Sequence, residues 1–150
     1  MKKLNVFLLL ITVTILTSCS KDDDSSEISA ASLVGTWQWT ASAENGEEYE
    51  LDECDLMDTL VFSPDNTASG TYYYFDGTSC AVDVEDDAFT WSLSGDVLTA
   101  TYTDDGISES YDGTITELTD TTLTIEYIDQ DEDEDGNIIE FIYTDTYTRI

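Results

Sequence analysis

From Val34 onward, apolar and polar residues alternate one by one in short runs. That alternation suits one element, the half-buried β-strand, whose successive side chains point to opposite faces. Trp37 and Trp39 share a face with Gly35, with Thr36, Gln38 and Thr40 opposite. Leu60 and Phe62 are set against Thr59, Val61 and Ser63, and Phe89, Trp91 and Leu93 against Thr90, Ser92 and Ser94. Leu98, Ala100 and Tyr102 then oppose Thr99, Thr101 and Thr103, while Leu123, Ile125 and Tyr127 oppose Thr122, Thr124 and Glu126. The last run sets Ile139, Phe141, Tyr143 and Tyr147 against Glu140, Thr144, Thr146 and Thr148, with Ile142 out of phase. No helical stripe exceeds about two turns.

Turn formers punctuate these runs: Ser63-Pro64-Asp65-Asn66, Asp76-Gly77, Gly95-Asp96, Asp104-Asp105-Gly106, Asp112-Gly113 and Asp135-Gly136-Asn137. Such short links make neighbouring strands antiparallel, so the chain is all-β, an up-and-down meander of about eight to ten strands. A meander must hide its apolar face and its edges; a small closed barrel does both, with a sandwich as the competing arrangement. A transmembrane barrel is disfavoured because the runs are about 5 to 8 residues long against the ~9 to 11 needed. Thr71-Tyr72-Tyr73-Tyr74-Phe75 carries aromatics on both faces, Tyr72 with Tyr74 and Tyr73 with Phe75.

Charge narrows the function. The chain has 34 Asp plus Glu against 4 Lys plus Arg and no His, a formal charge of -30. Phosphate backbones are repelled, so nucleic acid is excluded as a partner. Without His there is no imidazole base, no Ser-His or Cys-His pair and no His-ligated metal. Carboxylate pairs are the one acid/base set available and none stands out, so the chain is read as no enzyme, with no cofactor and no metal. Hydrophobic content of 41% argues against disorder.

The N-terminus is an address. Met1-Lys2-Lys3 is basic and Leu4 to Leu16 is an apolar run too short to span a bilayer as a helix. Leu16-Thr17-Ser18-Cys19 resembles the bacterial lipobox, which implies a lipoprotein signal peptide over 1–18 and an acyl chain such as palmitate on Cys19. Lys21 and Arg149 then remain as the basic residues, so attachment to the membrane rests on the lipid alone. Ser20 after the Cys resembles an outer-membrane sorting signal, and Lys21-Asp22-Asp23-Asp24 the export tag of surface-displayed lipoproteins. Residues 19–32 are expected to form a polar, acidic tether, and 33–150 the folded domain, a monomer lipid-anchored to the outer membrane and facing the cell surface.

Specific residues then carry a family resemblance. Gly35-Thr36-Trp37, followed by Cys54, Asp58-Thr59-Leu60-Val61-Phe62-Ser63-Pro64-Asp65, Cys80, Thr90-Trp91-Ser92-Leu93-Ser94-Gly95-Asp96 and Ile115-Thr116-Glu117-Leu118-Thr119, is similar to the lipocalin-like domain of Gram-negative lipoproteins. The resemblance implies a barrel closed by Gly35, Trp37 and Arg149, the Arg lying across the Trp ring, and it implies architecture more than activity.

Cys54 and Cys80 are the cysteines left after Cys19, and an exported protein pairs such residues in a disulfide. Neighbouring Glu53 and Asp55 argue against a reactive or metal-binding pair, since they raise a thiol pKa. Asp131, Asp133 and Asp135 have alternate spacing before Gly136, but an EF-hand would need Glu where Ile142 stands, so a solvated hairpin loop is expected. Two functions remain open: a barrel binding a small hydrophobic molecule through residues that the sequence does not single out, or a barrel filled by its own aromatics whose acidic surface meets a partner.

Overall fold

The computed structural model describes residues 28–132 and 136–150, with the backbone alone for 84–86. The expected signal peptide, Cys19 and the tether through Glu27 lie outside the described residues. Nine strands follow in chain order: β1 Gly35–Glu44, β2 Glu47–Tyr49, β3 Thr59–Phe62, β4 Thr67–Phe75, β5 Cys80–Ser94, β6 Val97–Asp104, β7 Ile107–Leu118, β8 Thr122–Glu132 and β9 Ile138–Arg149. Each pairs antiparallel with its neighbour in the order β2-β1-β3-β4-β5-β6-β7-β8-β9, and β1 also pairs with β9. That pairing closes β1 and β3 to β9 into an eight-stranded barrel, with β2 as a short flap on the end of β1. Closure removes the free edges that an open meander would leave.

The strands are longer than the sequence runs suggested, reaching 15 residues in β5 and 12 in β7 and β9. Length therefore does not argue against a membrane-spanning barrel. Polarity does: the outward positions of β6 to β9 are Thr99, Thr101, Ser110, Asp112, Thr124, Glu126, Thr144 and Thr148, while the apolar cluster lies inside.

One end of the barrel is sealed. Ser29 caps a single-turn helix, Ala30–Leu33, by accepting the Ser32 N–H at 3.2 Å, so the last residues of the segment read as tether are ordered against the barrel. Leu33 and Trp37 are fully buried, and Leu123, Ile115, Leu118, Phe62 and Trp91 gather around them at 4% exposure or less. Each such side chain contributes about 1.5 to 3 kcal/mol by leaving water. Arg149 lies over Trp37 with its guanidinium carbon 4.1 Å from the ring centroid. The same guanidinium donates to the carbonyls of Val34 at 2.7 Å, Asp120 at 2.9 Å and Ser32, tying the helix, the β7–β8 turn and β9 together. Gly35 makes this possible, because a Cβ there would sit 2.2 Å from Arg149 Nη1.

The acidic stretch near the other end is mostly strand rather than loop. Asp129 to Glu132 pair with Phe141 to Ile138 as the tip of the β8–β9 hairpin, while Asp133 and Asp135 lie outside the described residues.

Candidate functional site

Above the sealed floor the barrel is hollow. A cavity of about 760 Å³, within the size range of small-molecule sites, is walled by Leu60, Phe62, Phe89 and Leu98 and by Ala100, Tyr102, Ile125, Tyr127 and Tyr147. A second, more open space of about 440 Å³ shares Ala100, Tyr102, Tyr111 and Tyr127 with it and forms the mouth. The aromatics stand on one another rather than across the axis. Phe62 meets Phe89 and Trp91 edge-on, Phe89 lies 4.9 Å from Tyr102, and Tyr127 stacks on Tyr143 at 5.3 Å. They line the wall and leave the centre empty.

Two carboxylates, Asp58 and Asp145, line this apolar space, and the sequence alternation reaches only the second of them. Asp145 reaches the interior because β9 presents Tyr143, Asp145, Tyr147 and Arg149 on its inner face. Opposite it, a bulge in β1 between Trp39 and Ala41 reverses the alternation, so that Trp39 and then Ser42 face inward. Asp145, 7% exposed, accepts from Ser42 Oγ at 2.7 Å and from the Tyr127 hydroxyl at 3.2 Å. Burial raises its pKa although these hydrogen bonds, and the nearby Trp39 indole N–H, favour the charged form. Trp39 Nε1 itself is buried and lies short of hydrogen-bonding geometry with any acceptor.

Asp58 arrives by another route. It follows the 3-10 turn Asp55–Met57, whose preceding loop is anchored by the disulfide between Cys54 and Cys80, S–S 2.01 Å. Its carbonyl accepts the Trp39 N–H at 3.0 Å and its carboxylate the Tyr73 N–H at 2.8 Å. Burial pushes its pKa up to about 6, with the Asp55 and Asp52 charges adding to the rise against the lowering effect of the Tyr73 bond. Tyr72, Tyr127 and Tyr147 all have raised pKa values, chiefly through burial, and Tyr147 feels the charges of both Asp145 and Asp58.

The aromatic run of β4 departs from simple alternation. Register shifts flank Tyr72, which turns into the cavity over Gly70, where a Cβ would meet its ring at 2.6 Å. Tyr74 and Phe75 are both exposed, so neither face of the run's far end packs into the core. Among the described residues no cluster of His, Cys, Asp and Glu is arranged to hold a metal.

Residues 33–125, more than half of the chain, match the family model described as the lipocalin-like domain. The chain belongs to the lipocalin-like domain family. The lipocalin-like barrel seen here continues past the matched stretch through β9 to Arg149. Among solved structures, bovine odorant-binding protein in complex with a selenium-containing odorant is 15% identical, with 85% of this chain and 76% of that chain covered and a TM-score of 0.45. The same bovine protein with undecanal gives 14% identity, 85% and 77% coverage and a TM-score of 0.43. No curated protein matches the chain.

Proposed function

We propose that this lipocalin-like barrel binds a small hydrophobic molecule and carries out no catalysis. The observation that carries the reading is the cavity of about 760 Å³, apolar on most of its wall with a few polar groups at one side. A barrel serving only as a scaffold would fill that volume with its own side chains, since interiors normally pack to high density. We further propose that the protein is a lipoprotein of a Gram-negative outer membrane, with residues 1–18 removed, Cys19 acylated, 19–32 as tether and 33–150 as the domain, monomeric and facing outward. The lipobox-like Leu16-Thr17-Ser18-Cys19 and the acidic Lys21-Asp22-Asp23-Asp24 support this.

Binding is tested on the chain from Ser20 onward, since the core, the disulfide and the closed ladder of strands all lie within residues 28–150. Titration with the neutral fluorophore N-phenyl-1-naphthylamine should give saturable enhancement at one site per chain; no saturable signal would overturn the binding reading. Protease treatment of intact cells should remove the domain, and its survival until the outer membrane is broken would overturn the outward orientation.

A further inference from the structure

Every charged side chain on the cavity wall is an acid. Asp58 and Asp145 are inside it, Asp129 stands at its rim beside Tyr127, and the only Lys or Arg among the described residues, Arg149, is committed to the floor. A buried carboxylate without a cationic partner is costly, and a second anion brought beside it adds repulsion in a poorly screened space. A ligand ammonium would reverse both effects. The same end of the cavity also has aromatic faces, Trp39, Tyr72, Tyr127 and Tyr147, of the kind that attract cations.

We propose that the ligand is an amphipathic amine, its apolar body lying against Leu60, Phe89, Leu98 and Ile125 and its ammonium between Asp145 and Asp58. Fatty acids, the usual single-chain anions of a membrane, are discriminated against by the same carboxylates. This rests on the binding function proposed above and names the chemistry of that site.

The test compares head groups on one chain length. Dodecylamine, dodecanol and dodecanoate, each below its micelle concentration, compete with bound N-phenyl-1-naphthylamine at neutral pH. Dodecylamine should displace the probe at a concentration at least about tenfold below that of dodecanoate, equivalent to about 1.4 kcal/mol, with dodecanol between them. Equal displacement by amine and carboxylate, or stronger displacement by carboxylate, overturns the proposal while leaving hydrophobic binding intact. Failure of all three together with the probe overturns both. Asp145→Asn and Asp58→Asn, with folding checked by melting curves and dodecanol affinity as the internal reference, should each narrow the amine-to-alcohol ratio. If both variants keep the full preference, attraction by the acidic surface explains it and the internal site is wrong. The wild-type comparison of amine with carboxylate stands alone if either variant does not fold.

Discussion

The two ends of this barrel are built on the same alternation and differ in what stands at the inward positions. At the floor, Leu33, Trp37, Ile115, Leu118 and Leu123 converge on the axis and exclude water. Towards the mouth the inward positions belong to Trp39, Tyr72, Tyr102, Tyr127 and Asp145, and the Tyr127 hydroxyl and Ser42 Oγ hold Asp145 at the wall. The contrast teaches that a period-two pattern fixes which face is interior without fixing whether that interior is full. Fullness depends on chemistry: aliphatic side chains gain by meeting at the centre, while a hydroxyl or carboxylate gains by staying with its hydrogen-bond partners on the wall.

The largest effect that would break the comparison is at the floor. Trp37→Ala deletes a fully buried ring and the surface on which Arg149 lies, and should cost about 3 to 5 kcal/mol in urea unfolding. A loss below about 1 kcal/mol would mean that the floor does not hold the barrel shut. Reduction of the Cys54–Cys80 disulfide comes next, since it acts on the mouth-side loop that carries Asp58. Its sequence separation of 26 corresponds to about 3.5 kcal/mol of chain entropy, read as the difference in urea midpoint with and without reductant. Arg149→Lys keeps the charge but removes the fork that reaches three carbonyls, and should cost about 1 to 2 kcal/mol by the same measurement. The smallest effect is electrostatic and belongs to the cavity. With its folded pKa at about 6 against an unfolded value near 3.9, Asp58 contributes stability that is fully present below about pH 4 and lost as pH rises through 6. Asp58→Asn should therefore melt higher than the native protein at pH 7.5, by on the order of 1 kcal/mol, and the gap should narrow as pH falls through 6 and close below about pH 4.

Much of the floor was legible through the family resemblance, which brings Gly35, Trp37 and Arg149 together, and the turn residues announce most hairpins, although Asp112-Gly113, read as a turn, lies inside β7 and the β7–β8 turn at 119–121 carries no such signal. The upper cavity was not. Asp145 falls on the same face as Tyr143 and Tyr147 in the β9 alternation, but nothing in Thr144-Asp145-Thr146 signals that this carboxylate is buried, because its partners Ser42 and Tyr127 come from other strands. Asp58 ends an irregular loop where no alternation applies, and its burial depends on Tyr73 being brought to it by β4. The hollow centre follows from how Phe89, Tyr102 and Tyr127 stand against their neighbours, a property of tertiary packing to which composition is blind.

The difference between a filled floor and an empty upper half is tested most directly by adding volume to each. Ala68, 5% exposed, lies in the packed cluster, while Ala100 lines the cavity. Thermal melts of Ala68→Phe and Ala100→Phe insert the same ring at the two levels. Overpacking at Ala68 should cost about 2 to 3 kcal/mol, and Ala100→Phe should stay within about 0.5 kcal/mol of the native protein while weakening probe binding. If Ala100→Phe is as destabilising as Ala68→Phe, the upper barrel is already full and the account of a ligand cavity is contradicted.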